Sequence, residues 1–426
     1  MLGLTLVNIS RIASRDNSAA ALQNSEREQP ISLMKWIFFL LACVFSLSPL
    51  SAQLSAERPR GSMPEFSWDT LPLYMHVRKR TAFSEEELKF LQKFPLITLE
   101  KSNGHETYGS VDAGSIEAAK AIKKHNRSAK VLFYRNVLCH YGNYSFDDQL
   151  NSIPDWYLVG RNGEDKLVRG RVRAYDLSNK DVVDWWVDTM AEVCNDPYID
   201  GLFLDGNIKV LSSYQDRVWM PGKKEAVIKG YHKMMRDARR ALRPEKLMVA
   251  NIIRARLDDA GLEYLNYFDG SYLEGFEHAV GGMSQAEYMA KGIRAIQEAA
   301  QGGKIIALTL GIGETGLGDG IDESKSAISD IAAVSQARVD FCIALFLIVA
   351  EKYSYLMLSD GYGVDPRGGN SSESKLWLNT FPEYERPLGR PKGPALVLEN
   401  YRYIRYFEHV TVGLDLLEMR GHLIWK

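Results

Sequence analysis

Cysteine is scarce in this chain, and the few cysteines present form no metal-binding or disulfide pattern. Of the four in 426 residues, Cys139, Cys194 and Cys342 lie on separate predicted elements with no CxxC spacing. We predict that these three are buried small residues without disulfide partners. The P-loop, HExxH and GxSxG motifs are also absent, and we predict no bound cofactor and no metal.

The chain also lacks an excess of charge of either sign. Its 52 Lys and Arg residues nearly balance 54 Asp and Glu residues, which gives a formal net charge of -2 at pH 7. Nucleic-acid binding exploits a basic field, so we do not expect nucleic acid as a partner. The apolar share of 46% is ample for the core of a globular protein.

Long apolar runs are absent as well. The nearest is WIFFLLACVFSLSPLSAQ after Met34, which is shorter than the ~20 residues of a membrane span and ends in small residues. This is the layout of a secretory signal cleaved near Ala52, so we expect residues 1–52 to be an N-terminal extension and signal peptide. The mature protein is then secreted or periplasmic, with no stable membrane span. The LLAC sequence at Cys43 also resembles a lipoprotein box, and lipid anchoring there is the alternative.

From residue 71 onward, short apolar runs alternate with segments of helical periodicity, which is typical of a parallel sheet. Ser84 with Glu87, Ser178 with Asp181, and Ser284 with Glu287 are predicted to begin three of the helices. The predicted strands are LPLYMHV (71–77), LITL (96–99), KVLFY (130–134), GLFL (201–204), LMVA (247–250), GSYL (270–273), KIIALTL (304–310) and SYLML (354–358).

Eight strand-then-helix units match the size of a (β/α)8 TIM barrel, which we place at residues 65–360. A doubly wound open sheet is the competing α/β fold. It is disfavoured because the count is eight and nearly every strand ends in a polar or charged residue, as expected at the catalytic rim of a barrel. Residues 361–426 are predicted to form a loop and a small C-terminal β appendage packed on the barrel.

Two carboxylates at these strand ends are candidates for catalysis. Asp205 follows the fourth strand and Glu274 the sixth, so both are expected on one rim, where they can face each other. Glycoside hydrolysis uses such a pair, one as nucleophile or base and the other as acid. A lone carboxylate after a strand is as often a helix cap or part of a salt bridge, and it is the combination that favours catalysis.

Other polar and aromatic residues at strand ends are predicted to bind substrate. The long segment after the third strand adds alternating arginines, whose forked guanidinium groups suit sulfate or carboxylate, so we expect an anionic polysaccharide as substrate. The predicted substrate-binding residues are His76, Glu100, Tyr134, Arg135, Asn136, Arg171, Arg173, Asn251, Tyr272 and Asp360.

Three stretches, YIDGLFLDGN, GSYLEGF and YRYIRYFEHVTVGLDL, resemble a group of glycosidase barrels. The group includes hypothetical glycoside hydrolase family 15, the endo-polygalactosaminidases of family 114 and the endo-α-1,3-fucanases of family 168. The resemblance implies a retaining, endo-acting hydrolase of an α-linked, sulfated fucan-like glycan. It also implies that Asp205 is the nucleophile and Glu274 the acid/base.

Two other functions remain open. A metal-dependent barrel enzyme of the enolase type could use Asp205, Asn251 and Glu274 as magnesium ligands. A non-catalytic glycan-binding barrel is the second, because this fold hosts many functions.

Overall fold

The computed structural model describes residues 63–160, 167–168, 172–211, 222–312, 334–359, 378 and 380–426. Eight parallel strands pair in chain order, and a parallel bridge between Leu73 and Leu356 brings the last strand beside the first. This sequential order confirms the (β/α)8 barrel. The strands are β1 Tyr74–Val77, β2 Leu96–Leu99, β3 Lys130–Asn136, β4 Gly201–Asp205, β5 Leu247–Asn251, β6 Gly270–Leu273, β7 Ile305–Leu310 and β8 Ser354–Leu358.

Helices follow the strands and cover the outside of the barrel. Those in the described ranges are α1 Glu85–Leu91, α2 His105–Tyr108, α3 Val111–His125, α4 Asp147–Asn151, α5 Lys180–Cys194, α6 Asn207–Leu211, α7 Lys223–Ala241, α8 Gln285–Gln301 and α9 Gln336–Val349.

Local hydrogen bonds explain where several helices begin. The predicted capping boxes of Ser84 and Ser284 are both present. The predicted Ser178 cap of α5 is wrong by one residue, because the Asn179 side chain accepts from the Asp181 N–H. Ser178 instead donates its hydroxyl to Asp176 Oδ1 at 2.6 Å, which leaves Asn179 as the nearest available acceptor.

From Phe341 to Val349, helix α9 is buried on all sides, since the C-terminal appendage covers the face that the barrel does not. The appendage is a four-stranded antiparallel sheet of β9 Leu396–Leu398, β10 Arg402–Tyr406, β11 Val410–Asp415 and β12 Arg420–Trp425.

One buried arginine ties this sheet to the helix. Arg405 donates to Leu347 O at 3.0 Å and to Ala350 O at 2.5 Å, at the end of α9, and pairs with Glu351 at 2.8 Å. Carbonyls in the last turn of a helix have no partner within the helix, so the guanidinium stabilises that terminus. The predicted β appendage on the barrel is confirmed.

Cys139, Cys194 and Cys342 are buried and form no disulfide with one another, as predicted. No helix in the described ranges is long and apolar enough to cross a membrane. The predicted signal sequence and Cys43 lie outside those ranges.

The middle of α7 approaches the backbone before α5 so closely that only glycine fits. A Cβ atom on Gly230 would lie 1.7 Å from Leu177 O. Alanine ordinarily stabilises a helix interior relative to glycine by about 1 kcal/mol, but here the overlap reverses the sign. We expect Gly230→Ala to lower the free energy of unfolding by about 1–3 kcal/mol in urea titrations.

The control is Gly393→Ala, whose added Cβ would have no neighbour within 4 Å. Its free energy of unfolding should stay within about 0.5 kcal/mol of the parent value. Equal stability of the two variants would contradict the close packing of α7.

Candidate active site

The carboxyl ends of β4, β5 and β6 bring Asp205, Asn251 and Glu274 together. Asp205 and Asn251 are the last residues of their strands, and Glu274 follows the last residue of β6. The strands are neighbours in the order β4, β5, β6, so Asn251 lies between the two carboxylates.

Asp205 is half-buried and accepts hydrogen bonds on both oxygens. Tyr134 donates its hydroxyl to Oδ2 at 2.7 Å and Asn136 donates Nδ2 to the same oxygen at 3.1 Å. Asn251 donates Nδ2 to Oδ1 at 3.2 Å. Three side-chain donors thus stabilise the ionised form of this carboxyl group.

The electrostatic surroundings favour the same form. Burial on its own would raise the pKa of Asp205, but the positive charges of Lys209 and Lys101 and hydrogen bonds from Tyr134 and Gly206 outweigh it. The pKa of Asp205 is lowered to about 2. Asp205 is therefore a carboxylate at any pH at which the protein would normally work.

Asn251 also donates to the second carboxylate. The same Nδ2 lies 3.0 Å from Glu274 Oε1, so one amide group bridges Asp205 and Glu274. The distances to this shared nitrogen limit the gap between the two carboxylate oxygens to their sum, about 6.2 Å.

Tyr272 and Arg254 also contact Glu274. Tyr272 donates its hydroxyl to Oε2 at 3.2 Å, and the guanidinium of Arg254 lies 3.5 Å from Oε1. Arg254 is 5% exposed, and it places a positive charge directly beside this carboxylate.

Glu100 and Lys101 form an ion pair at the end of β2. Burial raises the pKa of Glu100, and the charges of Lys101 and Arg78 only partly oppose this effect. The ammonium group of Lys101 lies 5.3 Å from the centre of the Tyr134 ring and 5.0 Å from that of Tyr141. Cation–π contacts therefore hold Lys101 beside the tyrosine that donates to Asp205.

A cluster of buried rings forms the floor of the site. The His76 ring centre lies 4.9 Å from Phe203 and 5.2 Å from Tyr272, and Tyr74 lies 6.0 Å from Tyr272. Burial first, and then the charge of Lys101, holds the pKa of His76 well below its usual range. His76 is thus a neutral, 3% exposed ring in this floor, below the carboxylates.

Arg135 lies outside the site, contrary to its predicted role in substrate binding. Side chains alternate along β3, so Tyr134 and Asn136 face the barrel interior while Arg135 faces the helices. Its fully buried guanidinium lies 4.4 Å from the Tyr144 ring and 5.2 Å from Trp185 of α5.

The arginine segment is only partly described. Arg173 is exposed and its guanidinium lies 4.4 Å from the Tyr157 ring, in a short hairpin of Leu167–Val168 with Val172–Arg173. Arg171 and Asp360 lie outside the described residues.

Three cations in the site were missing from the predicted set. Lys101 directly follows Glu100, Lys209 follows the DGN sequence after β4, and Arg254 lies three residues beyond Asn251. Each lies within four residues of a strand end, which is the one sequence signal that they share, but the loop geometry decides whether the side chain reaches the site.

The donor set does not fit a metal bound by Asp205, Asn251 and Glu274. The bridging atom of Asn251 is a donor nitrogen, and Arg254 places a positive charge where a cation would have to bind. In the part of the chain that the structure describes, no three His, Cys, Asp or Glu side chains cluster in a metal-binding arrangement.

Comparisons with solved structures find glycosidases. The chain is 11% identical to the GH36 α-galactosidase AgaA from Geobacillus stearothermophilus, with a TM-score of 0.44 over 82% of this chain and 48% of that one. It is 15% identical to α-L-fucosidase isoenzyme 2 from Paenibacillus thiaminolyticus, with a TM-score of 0.45 over 72% and 49%. The maltogenic α-amylase AmyB from Thermotoga neapolitana is 13% identical, with a TM-score of 0.43 over 82% and 86%. The chain thus spans about half the length of the α-galactosidase.

No curated protein matches the chain significantly. A family model described as hypothetical glycosyl hydrolase family 15 matches residues 123–411, which is more than half of the sequence. The matched range runs from the end of α3 to β11 and includes Asp205, Asn251 and Glu274. The chain therefore belongs to hypothetical glycosyl hydrolase family 15.

Proposed function

We propose that the protein is a retaining endo-α-glycosidase of an anionic polysaccharide, with Asp205 as nucleophile and Glu274 as acid/base. Family membership supports the coarser assignment to the glycoside hydrolases. The observation that carries the finer proposal is the single amide of Asn251 shared by the two carboxylates.

Carboxylate separation distinguishes the two stereochemical outcomes. Retaining glycosidases hold their carboxyl groups about 5–5.5 Å apart, whereas inverting ones need roughly 6.5–9.5 Å to admit a water molecule. The limit of about 6.2 Å on the pair Asp205 Oδ1 and Glu274 Oε1 is compatible with the retaining separation.

The hydrogen bonds to Asp205 support its role as nucleophile. Asp205 Oδ2 is fixed by two donors, and Oδ1 faces Glu274, so we assign the attack on the anomeric carbon to Oδ1. Glu274 then gives its proton to the departing glycosidic oxygen. It recovers a proton from the water that later releases the sugar from Asp205.

The charge around the site supports an anionic substrate. Arg78, Lys101, Lys209 and Arg254 follow β1, β2, β4 and β5 at the same rim. These four cations stand beside the carboxyl groups of Glu100, Asp205 and Glu274, and a sulfate or carboxylate group on a bound sugar would be attracted to them. A sulfated fucan-like glycan and endo action follow from the family 168 resemblance. The signal-like run after Met34 supports secretion.

A non-catalytic glycan-binding barrel is the remaining alternative. Substitution of the two carboxylates distinguishes it from a hydrolase. Asp205→Asn and Glu274→Gln should each lower reducing-end release from the polysaccharide by at least roughly 100-fold. Asp205→Asn removes the nucleophile, and the general acid–base catalysis assigned to Glu274 contributes about 10²–10⁴-fold. The control is Asp200→Asn at the opposite end of β4, next to the first residue Gly201. It should keep most of the activity.

Stereochemistry is measured on the same enzyme by proton NMR of the first product. Retention of the α configuration is the expected result. A β product at early times would contradict the nucleophile assignment. Full activity in either carboxylate variant would rule out this pair.

The low pKa of Asp205 predicts the acid side of the pH profile. A carboxyl group with a depressed pKa stays charged until the pH falls through that pKa. Protonation of Asp205 should therefore not lower kcat/KM until about pH 2. Tyr134→Phe removes the shortest hydrogen bond to this carboxylate, which should raise its pKa. We expect the acid limb of kcat/KM to move to higher pH and kcat/KM to fall about tenfold.

Tyr355→Phe is the matched control, because that hydroxyl donates to Pro64 O and Glu65 O far from the rim. Its pH profile should equal that of the parent. An acid limb that stays in place in Tyr134→Phe would show that Asp205 does not carry this ionisation.

The anionic class is tested with one polymer in two forms. We expect a sulfated fucan to be cleaved with kcat/KM at least about tenfold higher than after its chemical desulfation, because one desolvated ion pair contributes on the order of 1–3 kcal/mol. Lys209→Met should reduce this preference. Equal kcat/KM on both forms would contradict an anionic substrate while leaving the carboxylate pair intact.

A further inference from the structure

The cleft beside Trp68, at the end of the barrel opposite the active site, has the chemistry of a second glycan-binding site. Its volume is about 550 Å³, and its lining includes Trp68, Asp69, Lys352, Arg390 and Glu408. We propose that it binds a polysaccharide chain without cleaving it. The proposal rests on the proposed function only for the class of polymer.

The lining combines an aromatic ring with charged groups of both signs. Trp68 is half-buried, and the four charged side chains are exposed. In the described part of the chain, none of these four forms an ion pair with another within 4.0 Å. Sugars present apolar CH faces beside hydroxyl groups, so an aromatic surface with exposed charged side chains around it suits them. The equal number of acids and bases favours a polyhydroxylated chain over a simple ion.

The walls of the cleft are held in place before any ligand binds. The Trp68 ring centre lies 4.8 Å from Phe66 at right angles and 5.8 Å from Phe407. Arg390 N–H donates to Glu408 Oε2 at 2.9 Å, and Glu408 N–H donates to Arg390 O at 3.1 Å. A site with fixed walls loses little conformational entropy on binding.

A backbone hydrogen bond also fixes the stretch that carries Trp68 and Asp69. Leu388 N–H donates to Asp69 O at 2.9 Å, so the segment before β1 is fixed to the segment that carries Arg390. Hydrogen bonds therefore join three of the four stretches that line the cleft, namely those that carry Asp69, Arg390 and Glu408.

The cleft lies apart from the catalytic rim. Lys352 precedes β8 and Trp68 precedes β1, whereas Asp205 and Glu274 lie at the carboxyl ends of their strands. An adjoining cleft of about 670 Å³ shares Phe66 and Ser67 and is lined by residues that precede β1, β2 and β3, including Leu73, Pro95 and Asn126. The two clefts together offer length for several sugar units on a face that cannot contact the catalytic pair.

The experiment measures polymer binding without hydrolysis. Full-length Asp205→Asn protein is run in native gels that contain sulfated fucan or its desulfated form, and its retardation gives a dissociation constant. We expect Trp68→Ala in this background to weaken binding about tenfold, since loss of aromatic contact is worth on the order of 1.4 kcal/mol. The matched control is Trp425→Ala, a half-buried tryptophan of β12 outside the cleft lining, which should bind as the parent does.

A second variant guards against a folding defect in Trp68→Ala. Lys352→Ala with Arg390→Ala changes only exposed side chains of the cleft and should also weaken binding. Binding equal to the parent in both cleft variants, an equal loss in Trp425→Ala, or no retardation of the parent in either gel would each overturn the proposal. Hydrolysis is assayed separately on protein with Asp205 intact, so failure of the catalytic proposal would not alter the gel result.

Discussion

The site depends on one shared hydrogen-bond donor, the Asn251 amide between Asp205 and Glu274. Two carboxylates at this distance in a partly buried site repel each other, and a buried charge without donors is costly. The amide offers a positive edge to both at once, at 3.2 and 3.0 Å. It can do so only because β5 lies between β4 and β6 in the barrel. Strand order therefore fixes the spacing on which the chemistry depends.

Each of the two carboxylates also has partners that it does not share with the other. Tyr134 and Asn136 reach Asp205 from β3 on one side, and Tyr272 and Arg254 reach Glu274 on the other. Each carboxylate thus has its own donors besides the shared one. This arrangement allows one carboxylate to change its protonation state while the other keeps its own partners.

Much of this could be predicted from the sequence, because a parallel barrel gathers its strand ends on one rim. The ends of β4 and β6 were enough to pair Asp205 with Glu274, and Asn251 follows from the strand between them. The face of the sheet on which each side chain lies was harder to predict. Arg135 stands between two residues of the site, Tyr134 and Asn136, but side chains alternate along a strand and its own side chain lies on the opposite face. The prediction of Ser178 as the cap of α5 was wrong because its hydroxyl donates to the nearby Asp176 instead.

The cations were harder to predict because their positions depend on loop geometry. Lys209 sits in the short α6 helix, whose orientation is fixed by the Asn207 side chain. That side chain donates to Leu204 O at 3.0 Å and accepts from Tyr231 of α7 at 2.8 Å. Such a contact joins residues 24 positions apart, and no local pattern in the sequence indicates it.

The aromatic floor explains why so few hydrogen bonds can set the ionisation of the site. Tyr74, His76, Phe203 and Tyr272 exclude water below the carboxylates, and Tyr74 satisfies its own hydroxyl by donating to Thr98 at 2.7 Å. In a region of low dielectric, each donor and each charge has a larger effect than it would in water. His76 would add a positive charge if protonated, but burial keeps it neutral, so the charge at Asp205 is balanced from the rim and not from the floor. The cations that balance it are therefore the same groups that a bound anionic sugar would meet.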